Sequence, residues 1–286
     1  MMNTSPRTQK PIQTSLICNI MSSKEQSVTL LRRNKQAQVE AFRSIGMADV
    51  SDDMRASDFA RRIKWSAGLL DLCLCAVRRK TIDGVDTAEE FYFTQEEWAG
   101  LSATQQLTFL KKGLRVRAFS HQFTLAPSDA SNNAALAWSN NVNIDNVENR
   151  LFGAAYRDFD GATNTAYIIE EQSGQTGSQN VTGCPAAEAA VAYKAFTAEF
   201  DGLEDTSDWH LPGFGCLWVY ARLKSEIDEA FKFFWSADSC LNKTTGYWSS
   251  TEATGSEAWF MEPNACFLRY GLKSTKYRVR CVCDEQ

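Results

Sequence analysis

The sequence predicts an α+β fold. An N-terminal helical and small α+β region is followed by a compact module of two helices and a small twisted antiparallel sheet. Three features of the last third carry this expectation. Aromatics stand beside prolines and glycines in two blocks, Asp208-Trp209-His210-Leu211-Pro212 and Gly246-Tyr247-Trp248-Ser249-Ser250-Thr251-Glu252. An amphipathic helix pattern lies between them, with Leu217, Tyr220, Leu223 and Ile227 on one stripe and Lys224, Glu226, Asp228 and Glu229 on the wet side. The alternating run Tyr277 to Val282 reads as a closing strand.

At 286 residues the chain is long enough for one large core or for two or three smaller ones. Its 44% hydrophobic and 23% charged residues are ordinary for a globular protein. Charge is unevenly placed: residues 1–80 hold 14 Lys/Arg against 7 Asp/Glu, and the remainder hold 16 against 28. The basic residues are scattered and no aromatic-basic repeat accompanies them, which speaks against nucleic acid. No stretch approaches the ~18 consecutive apolar residues of a membrane span. Ile12 to Met21 is too polar for a signal peptide, and Met21 reads as well as Met1 as a start. Nine cysteines contain no Cys-x-x-Cys pair, and with only two histidines a zinc site is not indicated. Buried free thiols are the expectation, with one bridge among Cys184, Cys216, Cys240, Cys266 and Cys281 left open.

In chain order, residues 1–21 read as a flexible leader and 22–80 as a helical attachment or oligomerisation region. One helix covers 22–47, with Ser27 as cap and Gly46 as stop, and a second runs from Ser57 to about Arg79. Trp65, flanked by Arg61, Arg62 and Lys64, is read as half-buried with snorkelling neighbours. Cys73 and Cys75 then fall on different helix faces. Residues 81–126 form a small α+β unit. It comprises a turn at Asp83-Gly84, a strand at Glu90 to Phe93, a capping box from Thr94 to Glu97, and a helix from Ser102 ended by Gly113. A hairpin follows, Leu114 to Ala118 and Phe123 to Ala126, turning at Ser120-His121. Residues 127–150, asparagine-rich, read as a linker or long loop. In 151–286, Asp160-Gly161 is a turn, Ala166 to Ile169 is a strand or a helix start, and Gly174 to Gly183 is a loop. Pro185 opens a helix over Ala186 to Phe200, and a further helix covers Trp218 to Phe231. Strands are expected near Tyr247–Ser249, Glu257–Met261 and Tyr277–Val282.

The order Trp209-His210-Leu211-Pro212, Tyr247 to Glu252, Ala258-Trp259, Gly271 and Val279-Arg280 resembles the signature of a bacterial and phage module with a C-type-lectin-like fold. Formylglycine-generating enzymes and retroelement-diversified variable proteins are similar to it in the same way. The resemblance covers roughly residues 184–283. Upstream, Phe59 to Trp65, Tyr92-Phe93-Thr94, Glu97-Trp98, Val116-Arg117-Ala118 and Asp158 to Gly161 resemble structural proteins of Bacteroides-infecting, crAss-like phages. The resemblance implies a non-enzymatic virion protein, a head fibre, tail fibre or decoration. Residues 22–126 would attach it to other virion proteins and form a homo-oligomer, a trimer being favoured. The distal module would bind a host-surface protein or glycan. A purely structural capsid decoration or adaptor, and a bacterial surface adhesin, are the alternatives.

Catalysis is not expected. The reactive cysteine pair that holds copper in formylglycine-generating enzymes would fall on Cys266 and Cys281, whose surroundings do not match. His210 stands where the family has arginine and reads as a structural residue. Glu252, Glu257, Glu262 and Asn264 offer oxygens without a calcium pattern, so no metal or cofactor is expected. Trp209, Leu211, Pro212, Tyr247, Trp248, Ser249, Ser250, Trp259 and Gly271 are read as the fold's signature, although Tyr247 and Trp235 also serve as candidates for the rim of the binding face. That face is placed on Phe260, Met261, Asn264, Phe267, Arg269 and Tyr270, because aromatics, methionine and arginine concentrate at binding hot spots. Alternation along a strand leaves about half of these exposed.

Overall fold

The computed structural model describes residues 70–172, 183–197 and 203–284. The chain divides into two units, Met1–Ala67 and Gly68–Gln286. The leader, the helix at 22–47, the segment around Trp65, Cys18 and most of the loop at Gly174 to Gly183 lie outside the described residues. The second unit is a mixed α+β structure with several helices and antiparallel sheets. Its largest sheet has five strands, ordered β10-β4-β3-β1-β2, and a three-stranded sheet has the order β6-β7-β8.

Where the helix was expected to run on to Arg79, the described residues form strand β1, Leu70–Ile82. It lies between β2 (Val85–Phe93) and β3 (Leu110–Ala118). A central strand is covered on both faces, so its sequence is a continuous apolar run that periodicity cannot tell from a helix. Leu70 to Val77 are buried apart from half-buried Asp71, whereas the far half, Arg78 to Ile82, is exposed. Asp83 and Gly84 both have positive φ, 52° and 80°, and Ile82 pairs with Val85 across them. Such a two-residue turn needs a strand on either side. Cys73 and Cys75 therefore share a face rather than diverging.

The capping box is present. Thr94 Oγ1 accepts from the Glu97 amide, and Glu97 accepts from the Thr94 amide at 2.8 Å, opening α1 (Gln95–Gly100). The next helix, α2, is only Ala103–Gln106, and the chain is already extended at Leu110. Gly113 does not end a helix. It sits inside β3, where a Cβ would stand 2.6 Å from Thr124 Cγ2 and 2.7 Å from the Leu125 carbonyl oxygen. The hairpin to β4 (His121–Leu125) forms as expected, with its turn one residue earlier, at Phe119 and Ser120 (φ 53° and 66°). The short β10 (Val282–Cys283) pairs with β4, Val282 opposite Leu125 and Cys283 opposite Thr124. The unit expected at 81–126 thus shares one sheet with the end of the chain.

Residues 127–150 run as a long, largely irregular loop, one of the two expected readings, and several of them are anchored in the core. A 3-10 turn at Ala130–Asn133 leads to β5 (Leu136–Ala137), which pairs with β9 (Lys276–Tyr277). Trp138, Ile144 and Val147 are buried. The Trp138 indole donates to the Ser249 carbonyl at 2.7 Å, and the Trp248 indole to the Leu136 carbonyl at 2.9 Å. The asparagines that suggested a loop supply left-handed turn positions, with Asn132, Asn133 and Asn141 at positive φ.

After α3 (Phe152–Ala155), Gly161–Gln172 form helix α4, which settles Ala166 to Ile169 as helix and places Gly161 at its start. The helix begun by Pro185 is α5, Pro185–Val191, and stops well short of the expected Phe200. The expected stripe of Leu217, Tyr220, Leu223 and Ile227 is buried, but it belongs to two helices, α6 (Phe214–Arg222) and α7 (Lys224–Phe234), meeting at Leu223. Strands β6 (Tyr247–Thr254), β7 (Glu257–Glu262) and β8 (Phe267–Leu272) form the second sheet. Tyr277 to Val282 is not one strand: its ends pair in β9 and β10, Arg278 makes an isolated bridge to Tyr247, and Val279 to Cys281 are buried. No disulfide joins any of the eight described cysteines.

Trp209, Leu211, Trp248 and Phe260 fall in one buried apolar cluster with Trp138, Ile168 and Val279. The polar residues of the 249–252 block are buried and, apart from Glu252 Oε2, satisfied from within. Ser249 Oγ donates to the Trp259 carbonyl, Thr251 Oγ1 accepts from the Phe214 amide and donates to Asp158, and Glu252 Oε1 accepts from the Ile144 amide. Buried polar groups need such partners, because burial without one costs roughly 1–3 kcal/mol each.

Candidate binding surface

Register decides which of the expected contact residues can reach a ligand. In the β7–β8 pair, Trp259 stands opposite Tyr270, Met261 opposite Leu268, and Phe260 opposite Arg269. Facing residues share a side of the sheet. Phe260 therefore lies on one side, stacked 4.2 Å from the Tyr277 ring, and Met261 and Trp259 lie on the other. Both faces of β7 are covered, so Phe260 and Met261 are buried and cannot serve as contact residues. Tyr247 is also buried, its hydroxyl donating to Asp129 at 2.8 Å, so it does not rim any face.

The remaining four residues are exposed, since β8 is the edge strand and overhangs both cores. They do not form one patch. Arg269 lies over the Phe267 ring at 5.0 Å and 3.7 Å from Glu262, on the side of Phe260. Asn264 sits in the β7–β8 turn. Tyr270 points to the other side, its ring 5.1 Å from Trp259.

On the Tyr270 side the fold assembles a stripe that no single stretch of sequence announces. The Trp259 ring is 5.8 Å from Phe152, Phe152 is 6.3 Å from Tyr156, Tyr156 is 6.0 Å from Trp218, and Trp218 is 5.1 Å from Phe119. These residues come from β7, α3, the end of α3, α6 and the β3–β4 turn. Tyr270, Phe152 and Phe119 are each about half exposed, and Leu151 beside Phe152 is 80% exposed. Arg157 lies 5.3 Å over Tyr156, and Arg222 lies 5.5 Å over Trp218. Trp259 ties the stripe to the interior. It packs 4.7 Å from Phe214, and its indole donates to the Arg150 carbonyl at 2.7 Å, which holds the start of α3 against β7. The row joins three half-exposed rings to the partly buried Tyr156 and Trp218, each under a guanidinium group, and to the buried Trp259.

His210 is tied into the fold by its backbone. Its amide and carbonyl exchange hydrogen bonds with Val282, at 2.9 and 3.1 Å. Burial lowers its imidazole pKa from the ordinary 6.5. Burial also pushes the thiols of Cys73, Cys184 and Cys283 up to about 12, and those of Cys216 and Cys281 well above their ordinary range. Of the two cysteines that the resemblance would pair, Cys281 is buried and Cys266 is half-buried in the β7–β8 turn. Among the described residues, no group of three or more His, Cys, Asp or Glu side chains is placed to hold a metal ion, and no helix is long and apolar enough to cross a membrane. Comparison with family models, with curated proteins and with solved structures finds no match to this chain.

Proposed function

We propose that this chain is a non-enzymatic phage virion protein that holds a host-surface protein against the stripe from Tyr270 to Phe119. In this reading the C-terminal part has a C-type-lectin-like arrangement, as the sequence resemblance implies, and residues 22–126, apart from the β3–β4 turn that gives Phe119 to the stripe, carry trimeric attachment to the particle. The observation that supports binding is the aromatic stripe itself. Six rings in contact, three of them half in solvent, are more apolar surface than folding of this unit requires. Aromatics flanked by arginine favour a protein partner, since tyrosine, tryptophan and arginine carry most interface energy.

The test is binding of the full chain to whole Bacteroides cells, before and after protease treatment of the cells. Wild-type protein should bind and lose its target with protease. The double variant Phe152→Ser, Tyr270→Ser should bind at least about tenfold more weakly, a loss of ~1.4 kcal/mol. Its unfolding midpoint should fall little, because both rings are half exposed. Binding that survives protease and is lost on periodate oxidation of the cells would identify a glycan instead. Unchanged binding by the double variant would move the contact off the stripe, and no binding by the wild type would leave a structural knob.

A further inference from the structure

A cavity of about 430 Å³ opens beside His210. The His210 side chain forms part of its wall and is only 5% exposed. Its Nδ1 lies 2.9 Å from the Asp208 carbonyl oxygen, which has no proton to give. Nδ1 therefore carries the proton of the neutral ring, and Nε2 is a bare lone pair. That Nε2 is buried without a hydrogen-bond partner. The carboxylate of Asp284 stands 3.9 Å away and is another acceptor.

The rest of the wall has the same character. Glu204 and Asp208 line it, as does Asp205, whose oxygens accept from the Ala195 and Ser207 amides and the Trp209 indole. Lys112, the basic side chain among the lining residues, is ion-paired with Glu90. The recess offers mainly negative charge and acceptors, and its side-chain donors are the Thr206 and Ser207 hydroxyls and the ion-paired Lys112. Val77 and Phe196 add an apolar strip along it.

We propose that this recess binds a primary alkylammonium group. The ammonium donates N–H bonds to His210 Nε2 and to the carboxylates of Asp284 and Asp208, and its alkyl stem lies along Val77 and Phe196. An ammonium brings three donors and a compact positive charge, which is what a lone imidazole nitrogen among carboxylates lacks. The group can arrive as a lysine side chain of a partner polypeptide or as a free alkylamine.

The test is NMR of the full chain carrying 15N-histidine, titrated at pH 7.5 and constant ionic strength. n-Butylammonium should shift the His210 Nε2 resonance saturably. Tetramethylammonium, which has the charge but no N–H, should not. Asp284→Asn, at an exposed position that does not threaten folding, should weaken n-butylammonium by about tenfold, the scale of one hydrogen bond to a charged group. No shift with n-butylammonium, or an equal shift with tetramethylammonium, overturns the proposal. A short N-acetylated lysine peptide separates the two sources: tighter binding than n-butylammonium points to a polypeptide, equal binding to a free amine.

Discussion

Lys273 and Glu252 form an ion pair from which solvent is wholly excluded, with neither side chain exposed at all. Lys273 Nζ also donates to the carbonyls of Val142 at 2.6 Å and Gly255 at 3.0 Å, and it lies 4.6 Å over the Trp138 ring. Burial pushes the Glu252 carboxyl up to about 7 and the Lys273 ammonium down from 10.5, each opposed by the partner's charge. The pair ties β6 to the turn after β8 and to the 127–150 segment. Lys273→Met should destabilise the fold by ~3–5 kcal/mol, because Glu252 is left buried and unpaired. Adding Glu252→Gln should cost less than it does alone, since the orphan charge is then gone. A denaturant double-mutant cycle with no coupling would sink this account.

Two glycines are fixed by backbone proximity. A Cβ on Gly213 would stand 2.5 Å from the Asp158 carbonyl oxygen, and one on Gly161 would stand 2.5 Å from that of Leu211. Neither backbone can yield as a side-chain tip would. Gly213→Ala and Gly161→Ala should each cost ~1–3 kcal/mol or more. Gly153, inside α3 with open space around it, gives the contrast. Gly153→Ala should gain ~0.4–1 kcal/mol by restricting the unfolded chain. Urea midpoints of the three variants check both statements.

Thiol chemistry should follow burial. Cys266 is half-buried in the β7–β8 turn and Cys240 is half-buried after α7, while Cys73, Cys75, Cys184, Cys216, Cys281 and Cys283 are buried. Among the eight described cysteines, iodoacetamide at pH 8 should label Cys266 first, then Cys240, whose thiol pKa burial raises. The six buried thiols should react only on unfolding. Peptide mass spectrometry against labelling time reads the order. Early labelling of Cys281 or Cys216 would contradict the packing.

His210 should make stability depend on pH. Its pKa is held below 6.5 in the fold by burial, against the pull of the Asp208 carbonyl and of Asp284. Below pH 6.5 the unfolded chain takes up the proton before the folded chain does. Stability contributed at neutral pH is therefore lost as pH falls from 6.5 toward the folded value. His210→Gln removes this titration. The stability difference between wild type and variant should shrink between pH 7 and pH 5.5, and an unchanged difference would mean that the imidazole ionises alike in both states.

Local chemistry was legible in the sequence wherever a few adjacent residues decide the outcome. The Thr94–Glu97 capping box, the Asp83-Gly84 turn, the β3–β4 hairpin, Pro185 at a helix start and the apolar stripe from Leu217 to Ile227 all depend on neighbours within a turn or two. So does the α+β class, which needs only that helical and alternating patterns both occur. The tertiary structure alone decided that Leu70–Ile82 is a strand, because a run buried on both faces carries no period until its partners are known. It also decided that Gly113 is a point of close approach, that the asparagine-rich loop buries Trp138, Ile144 and Val147, and that β10 adds an edge to the first sheet. For the candidate surface, alternation did not single out Tyr270 and Arg269, which lie on opposite sides of edge strand β8 and are both exposed, and covering elements on both sides of β7 removed Phe260 and Met261. Phe119, Phe152, Tyr156 and Trp218 come from three separate segments, and their rings meet only because α3 and α6 pack beside β7. Contacts between residues a hundred positions apart are set by that packing, and no local pattern encodes them.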